Sequence, residues 1–158
     1  MGLRDRNMDV DLEKMKTLFL GPGDLAAARY YSGLGFSPSA LPFFSKLKQI
    51  GYEVCCTNEN VVTGKPAPVD AMLLTDLCLF KDQYDVAYVV SGDGDFAYAI
   101  ENLATRFEKK IVIIASRSNI SLSLKRLARD YPSRVRVFLL EDHYQEFCMR
   151  RISRNKVS

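Results

Sequence analysis

Apolar positions change their period several times along the chain, and each change marks an element. Met8, Leu12, Met15, Leu18 and Phe19 recur at helical spacing, with acids early and Gly21-Pro22-Gly23 ending the run, which predicts a first helix over 8–20. "AAARYYSGL" (26–34) reads as a strand weakened by its alanines. After Pro38 the helical period returns at Leu41, Phe44 and Leu47, Gly51 is suited to end that helix, and "YEVCC" follows as a strand. Residues 57–69 hold two prolines, a glycine and two asparagines and predict a loop or flap. From Asp70, "DAMLLTDLCLF" reads as a helix too apolar for a surface position, yet it carries Asp70 and Asp76.

The second half alternates more cleanly. "DVAYVV" (85–90) is apolar without alternation, as in a parallel strand covered on both faces. An amphipathic "FAYAIENLATRF", a strand "KIVIIAS" (110–116), a helix "SLSLKRLARDY" (121–131) and a strand "VRVFLL" (135–140) follow, and "HYQEFCMRRI" predicts a last helix. Strands alternating with helices predict an α/β protein with an open, mainly parallel sheet. The 158 residues, 47% apolar, suit a single domain over 1–158.

Composition narrows the classes. No run of eighteen apolar residues occurs and eight of the first sixteen residues are charged, so neither a membrane span nor a secretory signal is expected, and the predicted location is cytoplasmic. Cys55, Cys56, Cys78 and Cys148 form no C-x-x-C pair and are expected as small buried hydrophobes rather than zinc ligands. The formal charge of +3 hides a polarity. Residues 1–100 carry nine Lys/Arg against thirteen Asp/Glu, and residues 101–158 carry thirteen against six. Arg117, Lys125, Arg126, Arg129, Arg134 and Arg136 fall within twenty residues, and a basic tail runs from about 150. Such a face is either simply solvated or meets an anionic polymer such as RNA.

The chemistry concentrates in "SGDGD", Ser91 to Asp95, where an apolar strand becomes a helix. One acid would suffice as a helix cap. Gly92 and Gly94 are expected to turn the chain with positive φ, which would let Asp93 and Asp95 point at one spot. Paired carboxylates repel unless a cation lies between them, and a hard divalent ion suits oxygen donors. A doubly capped helix start is the competing reading. Asp70 and Asp76, six positions apart, stand about 9 Å apart along a helix axis and on different faces, so one ion does not readily take both. Asp70 then serves a metal while Asp76 orients a neighbouring group, or Asp76 merely meets a polar side chain. Ser91 suits a ligand contact or a turn, Arg117 and Ser118 follow the next strand's end on the same rim, and His143, beyond the last strand, is expected to be structural. Neither an Asp-x-Asp phosphatase context nor the ligand schedule of an EF-hand is met.

These segments, "KPAPVDAMLLTDLCLF", "DVAYVVSGDGDFAYAIENL" and "KKIVIIA", resemble the NYN domain, in the LabA-like branch of the PIN-like nucleases, over roughly residues 7–140. The matching positions are Lys65, Val69-Asp70, Asp76 and Ser91-Gly92-Asp93-Gly94-Asp95-Phe96. The resemblance implies a three-layer α/β/α PIN-like, Rossmann-like fold and a ribonuclease that uses Mg²⁺ or Mn²⁺. With that resemblance, Asp70, Asp93 and Asp95 are expected as metal ligands and Asp76 as a weaker catalytic member; the flap's Lys65, and from their place on the rim Ser91, Arg117 and Ser118, are expected contacts to single-stranded RNA. Two departures stand out. The family opens with an apolar strand ending in Asp-x-x-Asn; here "MGLRDR" offers no such strand, so the first strand is expected to be missing or replaced. Asp5 and Asn7 are left as weak candidates for its residues, and a homodimer is one way to fill its place. Lys65 also stands five residues before Asp70 rather than three. A catalytically silent module that binds RNA or a protein partner is therefore the alternative to the enzyme.

Overall fold

A computed structural model describes residues 8–20, 24–33, 38–56 and 68–150. The expectations placed on Asp5, Asn7, Lys65, the family's first strand at 1–7 and the tail beyond 150 lie outside these residues. The chain divides into two compact units, one of residues 1–21 and 86–158 and the other of residues 22–85.

The larger unit is built on three parallel strands, β4 (Val86–Val90), β5 (Lys110–Ala115) and β6 (Val135–Leu139), in the order β4-β5-β6. Side chains alternate across such a sheet, and both faces of β5 are covered. Ile111 and Ile113 are fully buried on the face where α4 (Ala97–Thr105) contacts β5 and α5 (Leu122–Asp130) packs on β6, with Ile100, Leu103, Leu124 and Leu127 filling the layer. Val112 and Ile114 belong to the opposite face, where Met15 and Phe19 of α1 (Leu12–Leu20) pack with Phe138 and Leu140. Phe19 stacks on Tyr88 at 4.7 Å between ring centres and meets Phe138 edge-on at 5.2 Å. The unit is thus helix, sheet, helix, the layering expected of a PIN-like α/β/α fold.

The helix expected from Met8 starts later. Met8–Val10 form a short strand, β1, paired antiparallel with β7 (Cys148–Arg150). Asp11 then caps α1 by accepting the N–H groups of Glu13 and Lys14, each at 3.1 Å. The helix expected at the chain's end is correspondingly short: α6 covers only Tyr144–Phe147 before β7 takes the backbone into that pairing.

The smaller unit has two parallel strands, β2 (Arg29–Ser32) and β3 (Glu53–Cys56). Helix α2 (Leu41–Gln49) contacts β3 and α3 (Val69–Leu79) contacts β2. Neighbouring tyrosines divide the two faces: Tyr30 meets Phe43 of α2 edge-on at 5.5 Å, while Tyr31 reaches Asp76 of α3. Gly51, at φ 89°, ends α2 as expected, with its N–H bonded to the carbonyl of Lys48 at 3.0 Å. Helix α3 corrects an expectation. Although apolar on every side, it has no fully buried residue, and Leu79 and Cys78 are exposed. It packs on β2 and on the 3₁₀ turn Lys81–Gln83 that follows it, and part of its apolar surface stays exposed. Among the described residues no helix is long and apolar enough to cross a membrane.

Candidate functional site

The C-terminal end of β4 is where ligands bind in open parallel sheets, and "SGDGD" stands there. Val90 ends the strand, Gly94–Phe96 form a single 3₁₀ turn, and α4 follows at once. Short polar side chains hold the turn from within: the N–H of Asp93 donates to Ser91 Oγ at 3.2 Å, and the N–H of Asp95 donates to Asp93 Oδ1 at 2.9 Å. Phe96, with no exposed surface, pins the turn to the core. Both carboxylates remain exposed to solvent.

The glycines do not serve as the sequence suggests. Neither Gly92 nor Gly94 has positive φ; among the described glycines only Gly51 does. Their need is space. A Cβ on Gly92 would lie 2.4 Å from the carbonyl oxygen of Asn119, and one on Gly94 would lie 2.9 Å from Ser123 Oγ. The acidic turn is pressed against the loop joining β5 to α5, and the N–H of Ser121 bonds the carbonyl of Gly92 at 2.9 Å.

That loop carries residues the pattern reading passed over. Asn119 Oδ1 accepts the N–H of Ser116 at 2.9 Å, closing the loop on itself. Ser121 caps α5 through the N–H of Leu124 at 3.3 Å, and its hydroxyl lies 3.0 Å from that of Ser123. The dense small polar residues of "SRSNISLS" are the signal that could have drawn notice to them. Ser118 bonds Ser116 hydroxyl to hydroxyl at 2.9 Å. Arg117 is tethered on the far side: its backbone N–H meets the carboxylate of Glu141 at 2.9 and 3.0 Å, and its guanidinium pairs with Asp142. The pair is exposed at both ends, so it is worth less than about 1 kcal/mol and leaves the guanidinium able to turn to another anion. His143 stacks on Phe138 with ring centres 4.0 Å apart, and its Nδ1 lies 2.8 Å from Glu146, a structural position as expected.

Asp70 and Asp76 belong to the smaller unit. Asp70 is exposed in the first turn of α3, close after Pro68, the residue preceding the helix. Asp76 has the polar neighbour its apolar surroundings demand: Tyr31 Oη donates to Asp76 Oδ2 at 2.9 Å. Burial, and then the bond to Asp76, raise the Tyr31 phenol well above its ordinary value. Burial also raises the Cys55 thiol, with the charge of Asp76 adding to it. Asp76 lines an open groove of about 330 Å³ with Pro68, Ala71, Met72 and Thr75 along one side of α3.

The carboxylate oxygens of Asp93 and Asp95 are the donor type that magnesium and manganese take, and the bond from Asp95 engages only one oxygen of Asp93. The donor set therefore fits a hard divalent ion, but as a pair: among the described residues no three His, Cys, Asp or Glu side chains gather as a metal site.

Comparison with known proteins gives this geometry a context. The family model described as the NYN domain matches residues 3–133. Among curated proteins none matches the chain. Among solved structures, the chain is similar to a crystal structure of a protein of unknown function from Vibrio parahaemolyticus RIMD 2210633. The TM-score is 0.71 at 19% identity, covering 93% of this chain and 86% of that one.

Proposed function

The chain belongs to the NYN domain family, a family of PIN-like nucleases generally dependent on divalent metals, and from that premise we propose that it is a ribonuclease hydrolysing phosphodiesters of single-stranded RNA with Mg²⁺ or Mn²⁺. One observation carries the reading: two exposed carboxylates, Asp93 and Asp95, stand on a turn locked at the C-terminal end of a parallel strand. Folding alone uses the first of them, as the acceptor for the N–H of Asp95.

In this reading Asp93 and Asp95 hold the ion as a pair. When bound, the ion supplies a Lewis acid that activates water and offsets charge growing on the phosphodiester. The protein's own contribution is position. Ser91 and the β5–α5 loop fix the backbone of the turn that carries the carboxylates before substrate arrives, which lowers the reorganisation needed at the moment of reaction. Ser91, Ser118 and Arg117 contact phosphate oxygens, and the basic residues of α5 draw the polyanion toward the rim. A cytoplasmic location suits such a substrate.

The second reading, a silent module that binds RNA or a protein partner, is favoured by the lack of a three-carboxylate group among the described residues. One experiment separates the two. Incubated with single-stranded RNA, the protein is expected to cut slowly in Mn²⁺ or Mg²⁺ and not in EDTA, with Asp93→Asn and Asp95→Asn each at least a hundredfold slower, about 2.7 kcal/mol of barrier. Binding without cleavage in either metal would establish the second reading instead.

A further inference from the structure

Three residues beyond Asp95 stands a tyrosine that the fold does not use. Tyr98 is 77% exposed in the first turn of α4, the most exposed large hydrophobic residue described. Its hydroxyl has no hydrogen bond and its ring no ring contact among the described residues; only its backbone carbonyl is engaged, by Asn102 Nδ2 at 2.7 Å. The buried side of α4 is formed by Ile100, Leu103 and Ala104. Tyr98 adds nothing to that side, and an aromatic residue is a poorer helix former than alanine at the same place.

Its position relative to the carboxylates follows from the backbone. The 3₁₀ turn of Asp95 runs directly into α4, so Tyr98 stands three positions after Asp95 on continuous helical chain. Residues at that spacing share a face, with Cβ atoms about 5–6 Å apart. A second exposed apolar side chain stands on the same rim: Leu122, 70% exposed, is the first residue of α5 and adjoins Ser121, whose N–H is bonded to Gly92. Further along the same side of α5 come the exposed Lys125 and Arg126.

We infer that Tyr98 is a stacking platform for an unpaired nucleobase of the RNA, placed so that the phosphate beside that base falls at Asp93 and Asp95. The inference rests on the nucleic-acid reading above and adds to it the residue that selects single strands. A phenol ring offers a flat apolar face to any base, a contact available only where the base is not paired in a duplex. Leu122 borders the platform, and Lys125 and Arg126 attract the backbone that leads to it. The ring binds rather than reacts, so its loss acts on substrate affinity and leaves the chemical step to the carboxylates.

The test measures binding of a labelled single-stranded RNA by fluorescence anisotropy, in calcium to hold back cleavage, for the parent, Tyr98→Ala and Tyr98→Phe. Abasic sites are walked along the RNA. Tyr98→Ala is expected to weaken binding about tenfold, within the range of a single base stack, and Tyr98→Phe to retain it. One abasic position should weaken the parent by a similar factor and Tyr98→Ala no further. In manganese, KM should rise in Tyr98→Ala with kcat unchanged, and binding of a duplex of the same sequence should not depend on residue 98. Equal affinity of parent and Tyr98→Ala, or losses from the abasic site and the substitution that multiply, would overturn the inference while leaving the nuclease reading intact. If the coupling holds but Asp93→Asn cuts as fast as the parent, the nuclease reading fails and the platform stands. No binding of RNA by the parent would overturn both.

Discussion

Gly92 and Asn119 meet backbone to backbone: a methyl group on the first would stand 2.4 Å from the carbonyl oxygen of the second. Neither chain segment can give way easily, since Ser121 N–H holds Gly92 at 2.9 Å and Asn119 Oδ1 holds Ser116 at 2.9 Å. Gly92→Ala is expected to cost about 1–3 kcal/mol, as overpacking does, and to lower the melting midpoint by about 2–4 °C for each kcal/mol at this chain length. Gly94→Ala should cost less, because the atom it meets first is the rotatable hydroxyl of Ser123. Thermal melts of the two variants side by side check the order; equal midpoints would contradict the packing.

Asp93 has a duty to the fold that can be separated from any duty to a ligand. Its Oδ1 accepts the N–H of Asp95 at 2.9 Å, and asparagine keeps an oxygen there while alanine does not. Asp93→Ala should therefore lose about 0.5–2 kcal/mol of stability and Asp93→Asn much less. Cleavage should fall alike in both. Denaturant unfolding alongside RNA cleavage distinguishes these effects, and a fully active Asp93→Asn would assign the carboxylate to folding alone.

Three phenols of the smaller unit, Tyr30, Tyr31 and Tyr84, are raised by burial and make its stability sensitive to alkali, the last two most strongly. Burial pushes Tyr84 up to about 12, with Cys78 adding to the effect, and Tyr31 is raised by burial and by Asp76. All three ionise less readily in the fold than in the unfolded chain, whose phenols titrate near 10. Their contribution is whole below about pH 10 and is lost as pH rises toward about 12. Denaturant midpoints should fall across that interval, and the Tyr31→Phe, Tyr84→Phe double variant should fall less. An unchanged slope in the double variant would show that other groups govern alkaline unfolding.

The sequence disclosed the larger unit more fully than the smaller. Lys110–Ala115 read as a buried parallel strand because an apolar run without alternation has few other uses, and Leu122–Asp130 read as a helix because Leu124 and Leu127 recur with charges between. Val86–Val90 reads in the same way and does pair in parallel, but it is not covered on both faces: Val89 is buried while Val86, Tyr88 and Val90 are exposed, an alternation that an all-apolar run cannot reveal. The short pairing of Met8–Val10 with Cys148–Arg150 was hidden: three residues are too few for a period, and the partners are separated by nearly the whole chain. Helix α3 was recognised but misplaced, since uniform apolarity looks the same for a buried helix and an uncovered one. At the site, the two acids and their serine were legible as a motif. The purpose of the glycines was not, because close approach to Asn119 depends on a loop more than twenty residues away. Tyr98 was invisible for a related reason, since exposure is not a property of spacing.

The ion pairs of the second half bear on how salt will act. Of the six cations clustered between residues 117 and 136, Arg117 is engaged by Asp142, Arg129 by Asp130 and Arg134 by Glu108. Counterions are released only by cations that neutralise phosphates, at about 0.7 per contact on a single strand. If all six met phosphate, the logarithm of the RNA binding constant would fall with the logarithm of salt at a slope of about −4. With Arg129 and Arg134 held by neighbouring acids and Arg117 turning from Asp142 to phosphate as proposed, a slope of about −3 is expected. Titrations across a salt series read this number directly, and a value near −4 would mean that RNA displaces Asp130 and Glu108 from their arginines as well. The protein would then hold its ligand through an exchange of anions, and its apparent affinity in the cell would follow ionic strength more steeply than these pairs imply.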